Sequence, residues 1–169
     1  MAEIAALVEP HIPALRRYAY ALLRDGASAD DLVQDCLERV VSRWHLRRAD
    51  GDLRAWLFTI LRNLYISGLR HHRRRGPHTS LDDLAVPPAT DGSQEAHVMV
   101  RDVLDGIDAM TEEHRTLILL VGVEELSYEE AAKVTGLPIG TVMSRLSRAR
   151  ERLRAYMDTG ARPGLRRVK

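Results

Sequence analysis

Residues 126–154 read LSYEEAAKVTGLPIGTVMSRLSRARERLR, and the order of caps, small residues and arginines in that stretch decides the fold. Ser127 followed three residues later by Glu130 is a capping box, the start signal of a helix. Ala131, Ala132 and Val134 give that short helix a face of small residues, and Gly136 lets the chain turn. Pro138 and Gly140 end the turn, and Thr141 is expected to begin a longer helix. At about 100° per residue, Val142, Leu146, Ala149 and Leu153 fall on one side of it. Thr141, Ser144 and Arg148 fall on the other, with Arg145 and Ser147 at its edges. A short capped helix, a glycine turn and a second, basic helix make a helix-turn-helix, whose second helix is offered to the major groove of DNA. The plainer reading is an amphipathic helix with a solvated basic face. The joint presence of cap, turn and oriented arginines favours DNA.

Chemistry on that helix divides by residue. Arg148, aimed away from the apolar stripe, can give a guanine edge two hydrogen bonds, and small hydroxyl residues let the backbone approach the groove. Arg150, Arg152 and Arg154 suit phosphate or solvent, adding affinity and salt dependence but little sequence reading.

Working outward, charge is segmented although the chain of 169 residues carries a formal net charge of only +1. Residues 62–78 hold 5 Lys/Arg and no Asp/Glu, residues 79–135 hold 3 against 13, and residues 136–169 hold 9 against 2. Two basic blocks thus flank an acidic one. Salt screens exposed charges beyond about 8 Å, so these local fields govern partner choice more than the total does.

Helical spacing recurs throughout and β-type alternation is nearly absent, so the sequence predicts an all-α protein. A first helix is expected over residues 13–24, ending at Gly26 as a left-handed cap, and Ser28 is expected to open the next. Val33, Cys36, Leu37, Val40, Val41 and Trp44 share one face of that second helix, which places Cys36 in packing rather than in thiol chemistry. After the polar turn RRADGD a third helix runs from about Leu53 into the arginine cluster. Leu53, Leu57, Ile60, Leu61, Leu64 and Gly68 share one side of it; Thr59, Arg62, Asn63, Ile66, Arg70 and Arg73 share the other. That second face can contact phosphates and bases, or be merely solvated.

The period is lost from RRRGPH to about Gln94, where proline, glycine, serine and acids predominate, as expected of a flexible linker. It returns at Ala96, Val100, Val103, Leu104 and Ile107, and again through Leu117–Val121, which should be the buried middle of a second module. The expected organisation is two small helical modules: residues 1–75, a linker over 76–94, a helix-turn-helix module over 95–158 and a basic tail over 159–169.

Several classes are disfavoured. The apolar runs are shorter than the roughly 20 residues of a membrane span, and the opening MAEIAALVEPHIPALRR has an early acid and prolines where a signal peptide has basic residues and an apolar core. A cytoplasmic location is expected. No phosphate loop, nucleophile elbow or HExxH helix occurs, so neither an enzyme nor a cofactor is expected. His71, His72 and His78 lack the spacing of metal ligands on one face, and their arginine neighbours repel a cation.

The 126–154 stretch resembles the C-terminal promoter-binding region of extracytoplasmic-function sigma factors. ADDLVQDCLERVVSRW and DLRAWLFTILRNLYISGLRHHRRR resemble their N-terminal region. VQDCLERV, DLRAWLFTI and MTEEHRTLILLVGVEELSYEEA are similar to the general-stress subgroup of alphaproteobacteria, in which a sigma-like decoy competes for a small anti-sigma factor. That decoy also carries a receiver domain, which is not found in these residues.

The resemblance implies a factor that joins core RNA polymerase, recognises promoter DNA and is held by an anti-sigma factor. It implies that Asp31, Gln34, Asp35 and Glu38 contact the clamp of the largest polymerase subunit. Trp56, Thr59, Arg62, Asn63, Arg70 and Arg73 would meet the melted minus-ten element, and Thr141, Met143, Ser144, Arg145, Ser147 and Arg148 the minus-thirty-five element. Met143 departs from the Lys or Arg of many relatives. The alternative is a decoy that sequesters an anti-sigma factor and never binds a promoter.

Overall fold

The computed structural model describes residues 1–75 and 94–159; the side chains of His72, Arg73 and Arg75 lie outside the described residues. The linker up to residue 93, the basic tail from residue 160 and His78 therefore lie outside them too. Among the described residues every regular element is helical. The order is α1 (Ala2–Val8), a 3-10 turn (Glu9–His11), α2 (Ile12–Leu23), α3 (Gly26–Arg43), a 3-10 turn (Trp44–Leu46) and α4 (Leu53–Arg75). Then follow α5 (Gln94–Asp108), α6 (Glu112–Leu117), a π turn (Ile118–Val123), α7 (Tyr128–Thr135) and α8 (Ile139–Thr159). By contacts the chain divides into two compact units.

In the first unit, α2, α3 and α4 pack around Leu15, Tyr18, Val33, Cys36, Val40, Leu57, Phe58 and Leu61, all buried. Each such aliphatic side chain contributes about 1.5–3 kcal/mol on leaving water. Tyr18 meets Phe58 edge to face at 5.4 Å, an arrangement the ring quadrupoles favour. Cys36 is fully buried, and burial pushes its thiol up to about 12, as suits a packing residue.

Three sequence expectations are corrected here. The helix before Asp25 ends at Leu23, and Arg24, not Gly26, takes the left-handed cap, with φ 56° and its N–H on the Tyr20 carbonyl at 2.7 Å. α3 is capped by Asp25, whose carboxylate accepts from Ser28 N–H at 2.9 Å, so it starts at Gly26 and not at Ser28. Hydrogen bonds from Ser28, its side chain first and then its backbone N–H, hold the Asp25 carboxyl below its ordinary value. Both Asp and Ser cap well; here Asp25 takes the cap and Ser28 becomes the third residue of the helix. Lastly, Val41 stays exposed and Leu37 and Trp44 half-buried, since α1 covers the end of α3 only in part and leaves an apolar groove among Ile4, Val8, Leu37 and Val41.

The second unit is built on Ile107, Leu117, Leu119, Leu120, Leu126, Val142 and Leu146, all buried. Leu117–Leu120 is its centre, as the apolar run predicts, while Val121 at the end of that run is only half-buried. The π turn was not foreseen: the Glu124 N–H reaches back to Leu119, five residues, at 2.9 Å. At Gly106, α5 and α8 approach so closely that a Cβ would meet Tyr156 Cδ1 at 2.8 Å and Leu153 Cδ1 at 2.9 Å.

Candidate nucleic-acid interface

The capping box of α7 is formed in both directions. Ser127 N–H donates to Glu130 Oε2 at 2.6 Å, and Glu130 N–H donates to Ser127 Oγ at 3.1 Å. Gly136 follows with φ +71°, the left-handed region that glycine enters without strain. α8 begins at Ile139, two residues earlier than the sequence suggests: the Thr141 and Val142 N–H groups both close on the Pro138 carbonyl at 3.0 Å. Proline lacks an N–H but keeps this acceptor, so it serves just ahead of the first turn.

Rotation of α8 is set by Val142, Leu146 and Ala149, which are buried, with Leu153 half-buried below them. Met143, Ser144, Ser147 and Arg148 are exposed, and Thr141 is half-buried. The Ser144 hydroxyl donates to the Thr141 carbonyl at 3.2 Å, so toward a ligand it offers chiefly its lone pairs. Met143 has 47% of its surface exposed and presents an apolar, unbranched side chain beside the hydroxyls. Arg145 differs from the other predicted residues, because its guanidinium is paired with Glu113 of α6 at 3.0 Å and is only 29% exposed.

Beneath α8 lies His114, buried, with Arg152 Nη1 at 3.4 Å from its Nδ1. Burial first, and then the Arg152 charge, hold this imidazole below its ordinary value of 6.5; Arg145 and Arg148 act in the same direction and Glu113 against them. A neutral ring can accept from the arginine; a charged one cannot. Neither Glu113 nor His114 was singled out from sequence, since nothing in their local spacing shows which helix they meet.

In the first unit, α4 buries Ala55, Leu57, Phe58, Ile60, Leu61 and Tyr65. That is a wider arc than the single apolar side expected, because α4 packs on both α2 and α3. Asn63 and Arg70 are exposed as anticipated, and Thr59 and Ile66 are half-buried. The Thr59 hydroxyl donates back to the Ala55 carbonyl at 2.7 Å. Arg62 is half-buried, its Nε–H enclosed with no hydrogen-bond partner among the described residues, so it projects less freely than Asn63 or Arg70. Arg73 belongs to α4, but its side chain lies outside the described residues.

Trp56 is half-buried and meets Trp44 edge to face at 6.1 Å, and the Arg47 guanidinium sits 4.8 Å over the Trp44 ring. Trp44 and Arg47 belong to this aromatic cluster beside Trp56, a placement that the stripe reading of Trp44 missed. On α3, Asp31, Gln34, Asp35 and Glu38 are all exposed, opposite buried Ala29, Val33, Cys36 and Val40. Gln34 Nε2 donates to Glu38 Oε1 at 3.4 Å, and Asp35 and Glu38 line a shallow hollow with Arg39, Ser42 and Leu64.

Comparisons with known proteins agree with both halves. Residues 8–62 match the family described as the Sigma2 domain of PhyR, and residues 101–153 match sigma-70 region 4. The chain is 37% identical over 149 residues to the ECF RNA polymerase sigma factor EcfG of Rhodopseudomonas palustris, covering 87% of this chain and 82% of that one. It is 34% identical over 158 residues to the ECF RNA polymerase sigma factor SigL of Mycobacterium tuberculosis, covering 90% and 88%. Among solved structures it is similar to the sigma factor RpoE of Bartonella quintana, solved in complex with the anti-sigma factor NepR. The TM-score is 0.82 at 32% identity, with 95% of this chain and 100% of that one covered. It is also similar to CnrH, solved with the cytosolic domain of CnrY, at a TM-score of 0.71 and 26% identity, covering 94% and 89%.

Proposed function

The chain belongs to the extracytoplasmic-function sigma factors, and on that premise we propose how its residues divide the work of binding core RNA polymerase and directing promoter-specific initiation. The observation that carries the reading is α8: Ser144 is exposed opposite the buried stripe of Val142, Leu146 and Ala149, with exposed Ser147 and Arg148 on either side of it and exposed Met143 at the flank. Their backbone rotation is fixed by packing, so the Arg148 donors and the serine lone pairs are aimed before DNA arrives. Thr141, Met143, Ser144, Arg145, Ser147 and Arg148 read the upstream minus-thirty-five element, with Arg148 on a base edge.

Asn63 and Arg70 of α4, with Trp56, Thr59, Arg62 and Arg73, engage the melted minus-ten element. Aromatic side chains there offset the few kcal/mol of an unstacked base. Asp31, Gln34, Asp35 and Glu38 form the acidic and amide face that meets a basic surface of the polymerase clamp. Residues 1–75 and 95–158 are the two working modules, residues 76–94 join them, and residues 159–169 are a basic tail. The chain acts in the cytoplasm by binding energy, with no covalent step. No described helix is long and apolar enough to cross a membrane. An anti-sigma factor of the NepR kind holds it until stress releases it, as the likeness to the NepR-bound RpoE suggests.

One observation favours a second reading, a decoy that sequesters the anti-sigma factor: the first module matches the sigma-like domain of PhyR. The region 4 match and the exposed Arg148 speak for the sigma factor. The deciding experiment is run-off transcription from a defined promoter with core polymerase. Initiation that needs both chain and core supports the sigma reading, and no initiation when the two are present together supports the decoy. Arg148→Ala should lower initiation by about 5–150-fold, the range of 1–3 kcal/mol, and leave core binding intact. Equal loss of core binding would mean that α8 has been given the wrong partner.

A further inference from the structure

Two consecutive residues of α6, Glu113 and His114, lie against α8, and each holds one of its arginines. The Glu113 carboxylate meets Arg145 at 3.0 Å, and Arg152 reaches His114 at 3.4 Å. Arg145 and Arg152 are about two helical turns apart, so the two grips lie along one line of α8 and fix its rotation. The neighbouring acid has other work: Glu112 accepts from the Thr116 hydroxyl at 2.8 Å and pairs with Arg115 at 3.9 Å.

The Glu113–Arg145 pair is costly where it stands. The Glu113 side chain is 62% exposed, so the pair adds little to stability. Its carboxylate is held at Arg145, one residue from exposed Ser144 and three from exposed Arg148, and negative charge there repels phosphates. What the contact does provide is orientation. A guanidinium is a planar fork of five N–H donors; a carboxylate on one part of it fixes the plane and leaves the other donors for a second acceptor.

We infer that Glu113 is a positioning residue for promoter selectivity, holding the Arg145 guanidinium so that its remaining donors meet one base edge of the upstream element. Accordingly Glu113 gives up some affinity and narrows the set of base pairs that α8 accepts. The inference rests on the proposed role of α8 as the helix that reads the upstream element.

Its test uses the full chain with core polymerase and a promoter library randomised through that element, with initiation counted for each sequence. E113Q should flatten the preference at one base pair by roughly fivefold or more while initiation from poor sequences rises. E113D should restore part of the preference, which a purely structural defect would not show. R145A should erase the preference at the same base pair, and adding E113Q to R145A should change it no further. A preference sensitive to R145A but untouched by E113Q overturns the inference and leaves the reading of α8 standing. Initiation raised equally on all sequences by E113Q also overturns it, since Glu113 would then only mask charge. If R145A leaves every preference unchanged, the assignment of Arg145 fails, and the inference with it.

Discussion

α4 and α8 are both long helices with basic residues, yet they are held in place by different forces. α4 is gripped over a wide arc by apolar side chains, with Phe58 against Tyr18 and Leu57, Ile60, Leu61 and Tyr65 buried around it. Along its middle it leaves only a narrow strip exposed, from which Asn63 and Ser67 project. α8 has a thin buried stripe, and two polar contacts from α6 add to it. The difference fits the two roles proposed for these helices. A helix that lies in a duplex groove needs most of its circumference free, whereas a surface for splayed single-stranded bases needs a rigid platform more than a wide one.

The strongest way to break that contrast is in α4. Phe58→Ala removes a fully buried ring and its edge contact with Tyr18, and should cost about 3–5 kcal/mol in denaturant unfolding. Amide exchange in α2, α3 and α4 should speed up accordingly. A loss under about 1 kcal/mol would mean that the apolar grip on α4 is far looser than its burial implies.

A smaller effect is expected where α5 crosses α8. Gly106→Ala places a methyl against Tyr156 and Leu153 at under 3 Å. Both side chains must give way, at a cost of about 1–3 kcal/mol, because overfilling a packed contact strains its neighbours. If the variant is as stable as the parent, the helices can part without penalty, and the rotation of α8 rests on the α6 contacts and the thin stripe alone.

How far the sequence could be read follows the same contrast. The faces of α8 and its capping box were legible, because a single buried stripe and a three-residue cap are local patterns, and the structure keeps Val142, Leu146, Ser127 and Glu130 in those roles. The acids of α3 came from the family resemblance and not from a local pattern, and the structure leaves them exposed. The full burial of α4 was not, since Ala55, Phe58 and Tyr65 lie off the predicted side and are buried by packing on two other helices. Arg24 outdid Gly26 as a cap because local hydrogen bonding settled the end of α2 before the glycine was reached. α1 was overlooked because its seven residues are too few to show a period. The pairing of Glu113 with Arg145 spans 32 positions and has no local signature, so a residue that sequence offered as a free base contact proved to be held.

The smallest predicted effect separates the polar grip from the apolar one by pH. His114 is buried beside Arg152, with Arg145 and Arg148 adding positive potential and Glu113 opposing it, so its folded value lies below the ordinary 6.5. The unfolded chain then takes up a proton before the folded one does. Stability from this site is therefore complete above about pH 6.5 and declines as pH falls through the ordinary value toward the folded one. The decline should appear as lower amide protection, relative to the intrinsic exchange rate at each pH, in α6 and α8, with protection in α4 unchanged, because the side chains that grip α4 carry no group titrating between about pH 5 and 8. His114→Gln keeps an acceptor for Arg152 and removes the titration, so its profile should be flatter in that window. Equal acid sensitivity in α4 and α8, or a parent profile matching that of His114→Gln, would mean that the imidazole contact contributes nothing to holding the reading helix.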